Sequence, residues 1–264
     1  YSLLIDSHAH LQWRYFDSDI KEVISSASNI GVGAIINIGY DLEACRKAIT
    51  LADKYSGLYA VIGIHPHNAK LFNENTLDSL RRLSTHPKVV AIGEIGLDYY
   101  RNLSPRMIQR RALEAQIELA DELNLPIVIH SRDAQSEINE ILSKNKDKIK
   151  TGVMHCFSGS FETAKQCIRL GLQISFAGTV TYPNAHKLHD IVRKISLENI
   201  LIETDCPWLT PQPMRGKRNE PVFLVHTALK ISTLKNMPLN EVAEVTTRNT
   251  EKLFNLFSNA SFKS

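Results

Sequence analysis

Eight short apolar segments recur along the 264 residues of this chain, and no other feature constrains its fold as strongly. Each segment is nearly continuous rather than alternating, as strands are when a parallel sheet is buried on both faces. Segments with helical apolar spacing separate them, so the pattern predicts a closed (β/α)8 TIM-type barrel, with an open doubly wound sheet as the alternative. The predicted strands are 3–5, 33–38, 58–64, 89–94, 126–130, 152–155, 173–177 and 200–205.

A single domain is predicted over residues 1–264, because no linker rich in Gly, Ser or Pro interrupts the repeating units. Residues 258–264 are expected to form a frayed tail after the last helix. The predicted helices are 19–29, 42–54, 104–123, 222–235 and 239–256, with one more through Leu77, Leu80 and Leu83 and another opened by Asp133.

Composition indicates an ordinary soluble protein, with 43% hydrophobic and 22% charged residues. A formal charge of +3 is too small to imply a nucleic-acid partner by itself. The four cysteines lack CxxC spacing, which favours reduced thiols and a cytoplasmic location. No apolar run approaches membrane-spanning length, and we expect a monomer that needs no protein partner.

Metal-binding side chains follow the predicted strands. They are His8 and His10 after strand one, His65 after strand three, Glu94 after strand four, His130 after strand five, His155 after strand six and Asp205 after strand eight. The strand ends of a barrel meet at one mouth, where active sites are built, so these seven side chains are predicted to surround one cavity. Strand alternation also predicts that Asp6 points the same way as His8 and His10.

The donor types narrow the chemistry to a pair of divalent cations. Four imidazoles with two carboxylates suit borderline ions, and Glu94 is available to bridge them. Two ions about 3.5–4 Å apart can clamp both oxygens of an in-line displacement. Asp205 would then bind metal and accept the proton of the attacking water. The histidine-rich set suits Zn²⁺ or Mn²⁺.

These residues lie in seven short motifs: DSHAHL (6–11), GIHPH (63–67), GEIGLD (93–98), HSR (130–132), HCFSG (155–159), ETDCP (203–207) and RGKRNEP (215–221). Together they resemble, in order and over nearly the whole chain, the TatD-type metal-dependent deoxyribonucleases of the amidohydrolase superfamily. The resemblance implies phosphate contact by His65 and leaves Mg²⁺ plausible. It implies metal ligation by His8, His10, Glu94, His130, His155 and Asp205.

Five further residues are candidates for supporting roles. Glu203 is predicted to orient a ligand or the substrate, the alternative being a hydrogen-bonded buried carboxylate. Arg215, Lys217 and Arg218 follow strand eight and are predicted to bind phosphate, unless they form a solvated basic loop. Arg132 is predicted to contact phosphate or to pair with a carboxylate.

The resulting hypothesis is a two-metal deoxyribonuclease that trims single-stranded or frayed DNA in the 3′-to-5′ direction, with Asp205, His65 and Glu94 as catalytic residues. One alternative is a metal-dependent amidohydrolase or esterase that cleaves a small amide, lactone or ester. Another is a metal-holding scaffold without activity. Aromatic residues make up only 7% of the chain, so we expect weak stacking of bases.

Overall fold

The eight apolar segments form eight parallel strands that neighbour one another in sequence order, in a computed structural model that describes residues 3–256. This arrangement confirms the predicted (β/α)8 TIM-type barrel. The strands are β1 (Leu4–Ala9), β2 (Val32–Ile38), β3 (Leu58–Ile62), β4 (Val89–Asp98), β5 (Ile127–Arg132), β6 (Gly152–Met154), β7 (Leu172–Phe176) and β8 (Ile200–Ile202).

Helices follow each strand and cover the outside of the sheet. They are α1 (Ile20–Asn29), α2 (Leu42–Lys54), α3 (Glu74–Leu83), α4 (Arg106–Leu123), α5 (Gln135–Lys144), α6 (Phe161–Arg169), α7 (His186–Lys194), α8 (Leu224–Lys235) and α9 (Leu239–Phe254). Among these described helices, none combines the length and apolar character required to cross a membrane.

The barrel closes between β1 and the segment that follows β8. The Asp205 N–H donates to the His8 carbonyl at 2.9 Å, and the His10 N–H donates to the Cys206 carbonyl at 2.9 Å. Closure therefore holds His8 and His10 directly against the segment that carries Asp205.

Two apolar layers hold this architecture together. The inner layer lies inside the sheet and includes Ile36, Val61 and Val128 from different strands. Its N-terminal end is closed by Leu253 and Phe254 at the end of α9. The outer layer packs the other faces of the strands against the helices. The packed interior leaves the opposite, C-terminal mouth as the place for a polar site.

Several helices begin where a polar side chain accepts a hydrogen bond from a backbone N–H that has no partner within the helix. At the start of α2, the Asp41 carboxylate accepts a hydrogen bond from the Ala44 N–H at 2.8 Å. Ser160 caps α6 in the same way, through Thr163. Asp133 does not open α5: that helix begins at Gln135, after Asp133 adopts a left-handed φ of 53°.

Several strand limits differ from the prediction. β1 extends to Ala9 rather than ending at residue 5, so His8 lies within the strand and His10 directly follows it. β4 continues beyond Glu94 to Asp98, and β5 continues to Arg132, because these two strands keep pairing as far as the Asp98–Arg132 register. β8 is shorter than predicted and ends at Ile202, so residues 203–205 lie in the segment after it. The predicted frayed tail, residues 258–264, lies outside the described residues.

Candidate metal centre

Glu94 lies at the middle of the site because β4 carries one extra residue there. Ile92 pairs with Ile127 and Ile95 pairs with Ile129, so three steps along β4 match two steps along β5. Such a bulge re-aims a side chain and is common beside active sites. The prediction placed Glu94 at a strand end, whereas an irregularity inside a ten-residue strand positions it.

One oxygen of Glu94 faces His8 and His10. Glu94 Oε2 lies 3.5 Å from His8 Nε2 and 3.7 Å from His10 Nε2. Asp205 Oδ1 completes this half of the site, at 3.7 Å from His8 Nε2 and 3.4 Å from His10 Nε2. The two Nε2 atoms lie 3.2 Å apart. Two imidazole nitrogens and two carboxylate oxygens therefore surround one point.

The other oxygen of Glu94 faces His130, His155 and His65. Glu94 Oε1 lies 2.8 Å from both His130 Nδ1 and His155 Nε2. His65 Nε2 is farther away, at 3.5 Å from the same oxygen. All seven predicted side chains thus surround one cavity, and Glu94 stands between two groups of nitrogen donors.

Asp6 does not join this cluster. Its carboxylate instead accepts the Thr204 N–H at 2.9 Å and the Thr204 hydroxyl at 2.5 Å. Burial raises the pKa of Asp6 to about 7. Side chains do not alternate strictly between the two faces of β1 at this point, because the pairing of β1 with β2 shifts register between Asp6 and Ala9. The prediction that Asp6 points with the two histidines is therefore wrong.

Burial and mutual charge tune the protonation of the donors. Burial, with His155 nearby, lowers the pKa of His8 to about 3, and burial lowers that of His65 to about 4. Burial would raise the pKa of Glu94, but His155, His65 and His130 together hold it well below its usual value. Burial would lower the pKa of His155, yet Glu94 and Glu203 raise it.

In His10, His130 and His155, a hydrogen bond at the ring nitrogen that faces away from the site determines which nitrogen can bind a metal. His10 Nδ1 lies 2.9 Å from the Ile38 carbonyl oxygen, which can only accept, so His10 Nε2 is left for the cavity. His155 Nδ1 faces Glu203 Oε1 at 3.2 Å, which directs its Nε2 toward Glu94. His130 Nε2 faces Asp98 Oδ2 at 3.1 Å, which directs its Nδ1 inward.

His65 shows the opposite arrangement. The His67 N–H donates to His65 Nδ1 at 3.1 Å, so a neutral His65 carries its hydrogen on Nε2. A nitrogen that carries hydrogen donates and cannot ligate a cation. The described geometry thus favours His65 as a donor toward a bound anion, although its Nε2 also lies within reach of a metal together with Glu94 and His130.

This donor set fits two divalent ions. Groups with close ligand atoms are His8 with His10 and Glu94, His8 with His155 and Asp205, and His65 with Glu94 and His130. Buried imidazole nitrogens and carboxylate oxygens face each other here, and the outer nitrogens of His10, His130 and His155 are hydrogen-bonded, which is the arrangement of metal ligands and their supporting partners. His8, His10 and Asp205 could hold one ion, His130 and His155 the other, with Glu94 shared.

Glu203 supports the site through His155. Its Oε1 also accepts the Cys156 N–H at 2.8 Å, while its buried Oε2 has no hydrogen-bond partner among the described residues. Glu203 and Asp205 both point into the site, although they lie in the segment after β8 rather than within the predicted strand 200–205. Glu203 is therefore placed to orient a ligand.

Asp98 is a supporting residue that the sequence did not identify. Its Oδ2 lies 2.9 Å from His67 Nε2 as well as beside His130, and the Arg101 N–H donates to its Oδ1 at 2.7 Å. Burial would raise the pKa of Asp98, but the bonds from His130 and His67 hold it well below its usual value. The sequence contains one indication of this role, because Asp98 lies four residues after Glu94 in the same motif.

The predicted phosphate-binding cations differ in availability. Arg218 forms two ion pairs: its Nη2 lies 2.6 Å from Asp19 Oδ2 and 2.9 Å from Glu220 Oε1. Arg215 is exposed and donates to the Tyr182 hydroxyl at 2.8 Å, and Lys217 is also exposed. Phosphate binding by Arg215 and Lys217 remains a prediction, whereas the two ion pairs of Arg218 oppose that predicted role.

Arg132 lies at the exposed end of β5, close to His130 in the chain. Its guanidinium lies over the Tyr100 ring, 4.0 Å from the ring centroid. No described carboxylate pairs with it, so the predicted ion pair is absent from residues 3–256. The exposed cation leaves phosphate contact as the prediction for this residue.

The chain is similar to known proteins over nearly its whole length. A family model described as TatD related DNase matches residues 5–255. The chain belongs to the TatD family. The uncharacterized metal-dependent hydrolase YabD of Bacillus subtilis is 44% identical over 254 residues, which cover 96% of this chain and 100% of YabD.

Two other TatD relatives bear on activity and fold. A protein named 3′-5′ ssDNA/RNA exonuclease TatD, from Erwinia tasmaniensis, is 35% identical over 96% of this chain and 100% of that protein. The crystal structure of YJJV, a TatD homologue from Escherichia coli K12, matches with a TM-score of 0.91 at 32% identity, covering 96% and 98% of the two chains. The TatD chain described here is thus a metal-dependent hydrolase on a shared barrel.

Proposed function

We propose that this TatD-family protein is a metal-dependent deoxyribonuclease that removes nucleotides from single-stranded or frayed 3′ ends. The observation that carries the proposal is Glu94, whose two oxygens each face a separate group of nitrogen donors. Glu94 would be shared by two divalent ions, which would supply the charge stabilisation that an in-line displacement at phosphorus requires. The relative named as a 3′-5′ ssDNA/RNA exonuclease supports the choice of substrate.

The proposed metal ligands are His8, His10, Glu94, His130, His155 and Asp205. Two divalent ions, Zn²⁺, Mn²⁺ or Mg²⁺, supply Lewis-acid stabilisation and lower the pKa of coordinated water when they are bound. Glu94 holds the two halves of the site at a fixed separation. Glu203 holds His155 in position, and Asp98 does the same for His130.

Three groups of the chain act on the substrate in this proposal. Asp205 Oδ1, which lies beside both β1 histidines, accepts the proton of the attacking water. His65 donates its Nε2–H to an oxygen of the scissile phosphate. Arg132, Arg215 and Lys217 bind the flanking phosphates from the exposed ends of β5 and the segment after β8.

We further propose a cytoplasmic monomer with DNA as its partner. All four cysteines have free thiols, which suits a reducing compartment. Burial raises the pKa of Cys45 and Cys167 to about 12, so these two thiols stay protonated at neutral pH.

Removal and replacement of the metal tests the proposal. The purified protein is stripped with a chelator, and Zn²⁺, Mn²⁺ or Mg²⁺ is then added back separately. A 5′-labelled single-stranded oligonucleotide should be degraded only after one of these additions. The same preparations are assayed on a panel of amides, lactones and carboxylic esters. Efficient turnover of that panel without oligonucleotide cleavage would instead establish the small-molecule hydrolase.

A further inference from the structure

Both tryptophans of the chain lie at the mouth of the metal centre. Trp13 follows β1 and Trp208 follows β8, 195 residues later in the sequence. Their ring centroids are 5.3 Å apart in a T-shaped contact. Tyr15 and Tyr40 stack on Trp13 at 6.3 Å and 5.4 Å. An aromatic content of 7% predicted weak stacking, but four aromatic rings are gathered here, and we call them the aromatic platform.

The aromatic platform touches the metal centre directly. The Trp208 ring lies 5.3 Å from the His10 ring, centroid to centroid, and His10 Nε2 points at Asp205. Trp208 is nevertheless 41% exposed and Tyr15 is 49% exposed. Large aromatic side chains left this exposed beside a polar cleft are a mark of a binding surface.

Arg218 holds the two halves of the aromatic platform together. Its guanidinium donates to the Tyr15 carbonyl, pairs with Asp19 and stacks over Phe16 at 4.6 Å, all in the segment after β1. Its neighbour Asn219 donates to the Trp208 carbonyl in the segment after β8. The residue predicted to contact phosphate is thus placed to position the aromatic platform.

The neighbouring charges indicate which aromatic ligand fits. Arg14 lies over the Tyr15 ring at 5.8 Å, and the exposed Arg215 and Lys217 follow Trp208 within the same segment. Flat aromatic faces flanked by cations suit a base that is joined to a phosphate backbone. A peptide or a lipid would not need the combination of an exposed ring, a flanking cation and a phosphate-cleaving centre at contact distance.

We infer that the aromatic platform is the binding site for the base of the 3′-terminal nucleotide, stacked against Trp208. This inference rests on the proposed nuclease function and adds the group by which the enzyme holds the chain end. Stacking of one base on an aromatic ring is tolerant of sequence, because every base has a π face. Arg218 is a positioning residue in this account.

Paired substrates and variants test the inference. One 5′-labelled oligothymidylate ends in a normal 3′ nucleotide, and a second of equal length ends in an abasic 3′ residue. The wild-type protein should cleave the normal end with kcat/KM about tenfold higher. Trp208→Ala should reduce that preference to about one, because the partner of the base is gone. Trp208→Phe should retain most of it.

Leu229→Ala serves as the matched control, since Leu229 is 44% exposed on α8 and contacts no part of the metal centre in the described hydrogen bonds and ion pairs. This variant should keep the wild-type preference. Intrinsic fluorescence gives a readout that needs no catalysis: the normal oligonucleotide should quench the tryptophans of metal-free protein more strongly than the abasic one.

The outcomes separate this inference from the proposed function. Equal cleavage of both oligonucleotides by the wild-type protein, or equal quenching by both, would overturn the aromatic platform as a base site. Absence of cleavage of either oligonucleotide with every metal would overturn the nuclease proposal, whereas the quenching comparison would still decide the base site.

Discussion

Glu94 is the residue on which the two-metal proposal depends most. It is 3% exposed and is the one carboxylate in contact with both groups of nitrogen donors among the described residues. Glu94→Gln keeps the shape of the side chain but removes its charge and one ligand oxygen. We expect this variant to lose at least one metal ion per chain and several orders of magnitude of activity.

Elemental analysis and the oligonucleotide assay measure the two effects of Glu94→Gln side by side. Glu198→Gln is the control, because Glu198 is exposed and pairs with Arg248 on the outer surface. Thermal unfolding should show that both variants fold. A Glu94→Gln protein that binds two ions and cleaves at a near-normal rate would contradict the bridging role.

Individual donors could be predicted because each stands in a recognisable position after an apolar run. Their hydrogen-bond partners could not, since those partners come from other parts of the chain. Asp98 on β4 orients His130 on β5, and Glu203 after β8 orients His155 after β6. Such contacts depend on barrel geometry rather than on local spacing.

The segment after β8 contains two exposed cations that form no ion pair with a described carboxylate. Arg215 and Lys217 are exposed, whereas Arg218 is held by Asp19 and Glu220. Replacing Arg215 and Lys217 with Ala should weaken binding of single strands of any sequence. The log–log dependence of affinity on salt should become shallower by roughly 0.7 per lost contact.

Fluorescence anisotropy with a labelled single strand at several salt concentrations measures this slope. Arg248→Ala is the matched control, because Arg248 is an exposed arginine on α9 with an acidic partner. Its slope should equal that of the wild-type protein. A double variant whose slope is also unchanged would return Arg215 and Lys217 to the role of solvated surface residues.

Strand identities were predictable, but strand limits were not. Apolar runs marked all eight strands because each is buried on two faces. The extension of β4 to Asp98 comes from continued pairing with β5 across polar residues, and its bulge appears only in the register of the two strands. The left-handed φ of 55° at Asp205, whose N–H bonds to the His8 carbonyl, is likewise not indicated by the local sequence.

The barrel as a whole could be predicted from the apolar pattern of the sequence. The residues that meet at each of its two ends could not. Nothing in the apolar spacing of α9 predicts that Leu253 and Phe254 close the inner layer. Similarly, a low aromatic content gave no hint that Trp13 and Trp208 meet beside His10. Both features bring together residues that are far apart in the chain.

For the proposed nuclease, the depth of the metal centre predicts which form of DNA is cleaved. Glu94, His8 and His155 are buried at the barrel mouth, so a scissile phosphate must enter the cavity to reach them. A phosphate midway along a stiff duplex cannot do so, since DNA bends little over the width of such a cavity. The end of a single strand can enter, and its terminal base can stack on the aromatic platform.

We therefore expect 5′-labelled linear single strands to be shortened one nucleotide at a time, and blunt duplexes to be shortened more slowly. A covalently closed single-stranded circle of the same sequence should stay intact, because it offers no end. Denaturing electrophoresis of time points, with metal supplied, distinguishes the two substrates. The linear ladder also controls for metal loading of the protein. Rapid nicking of the circle would show that internal phosphates reach Glu94. The protein would then act as an endonuclease, which would contradict the proposed exonuclease activity.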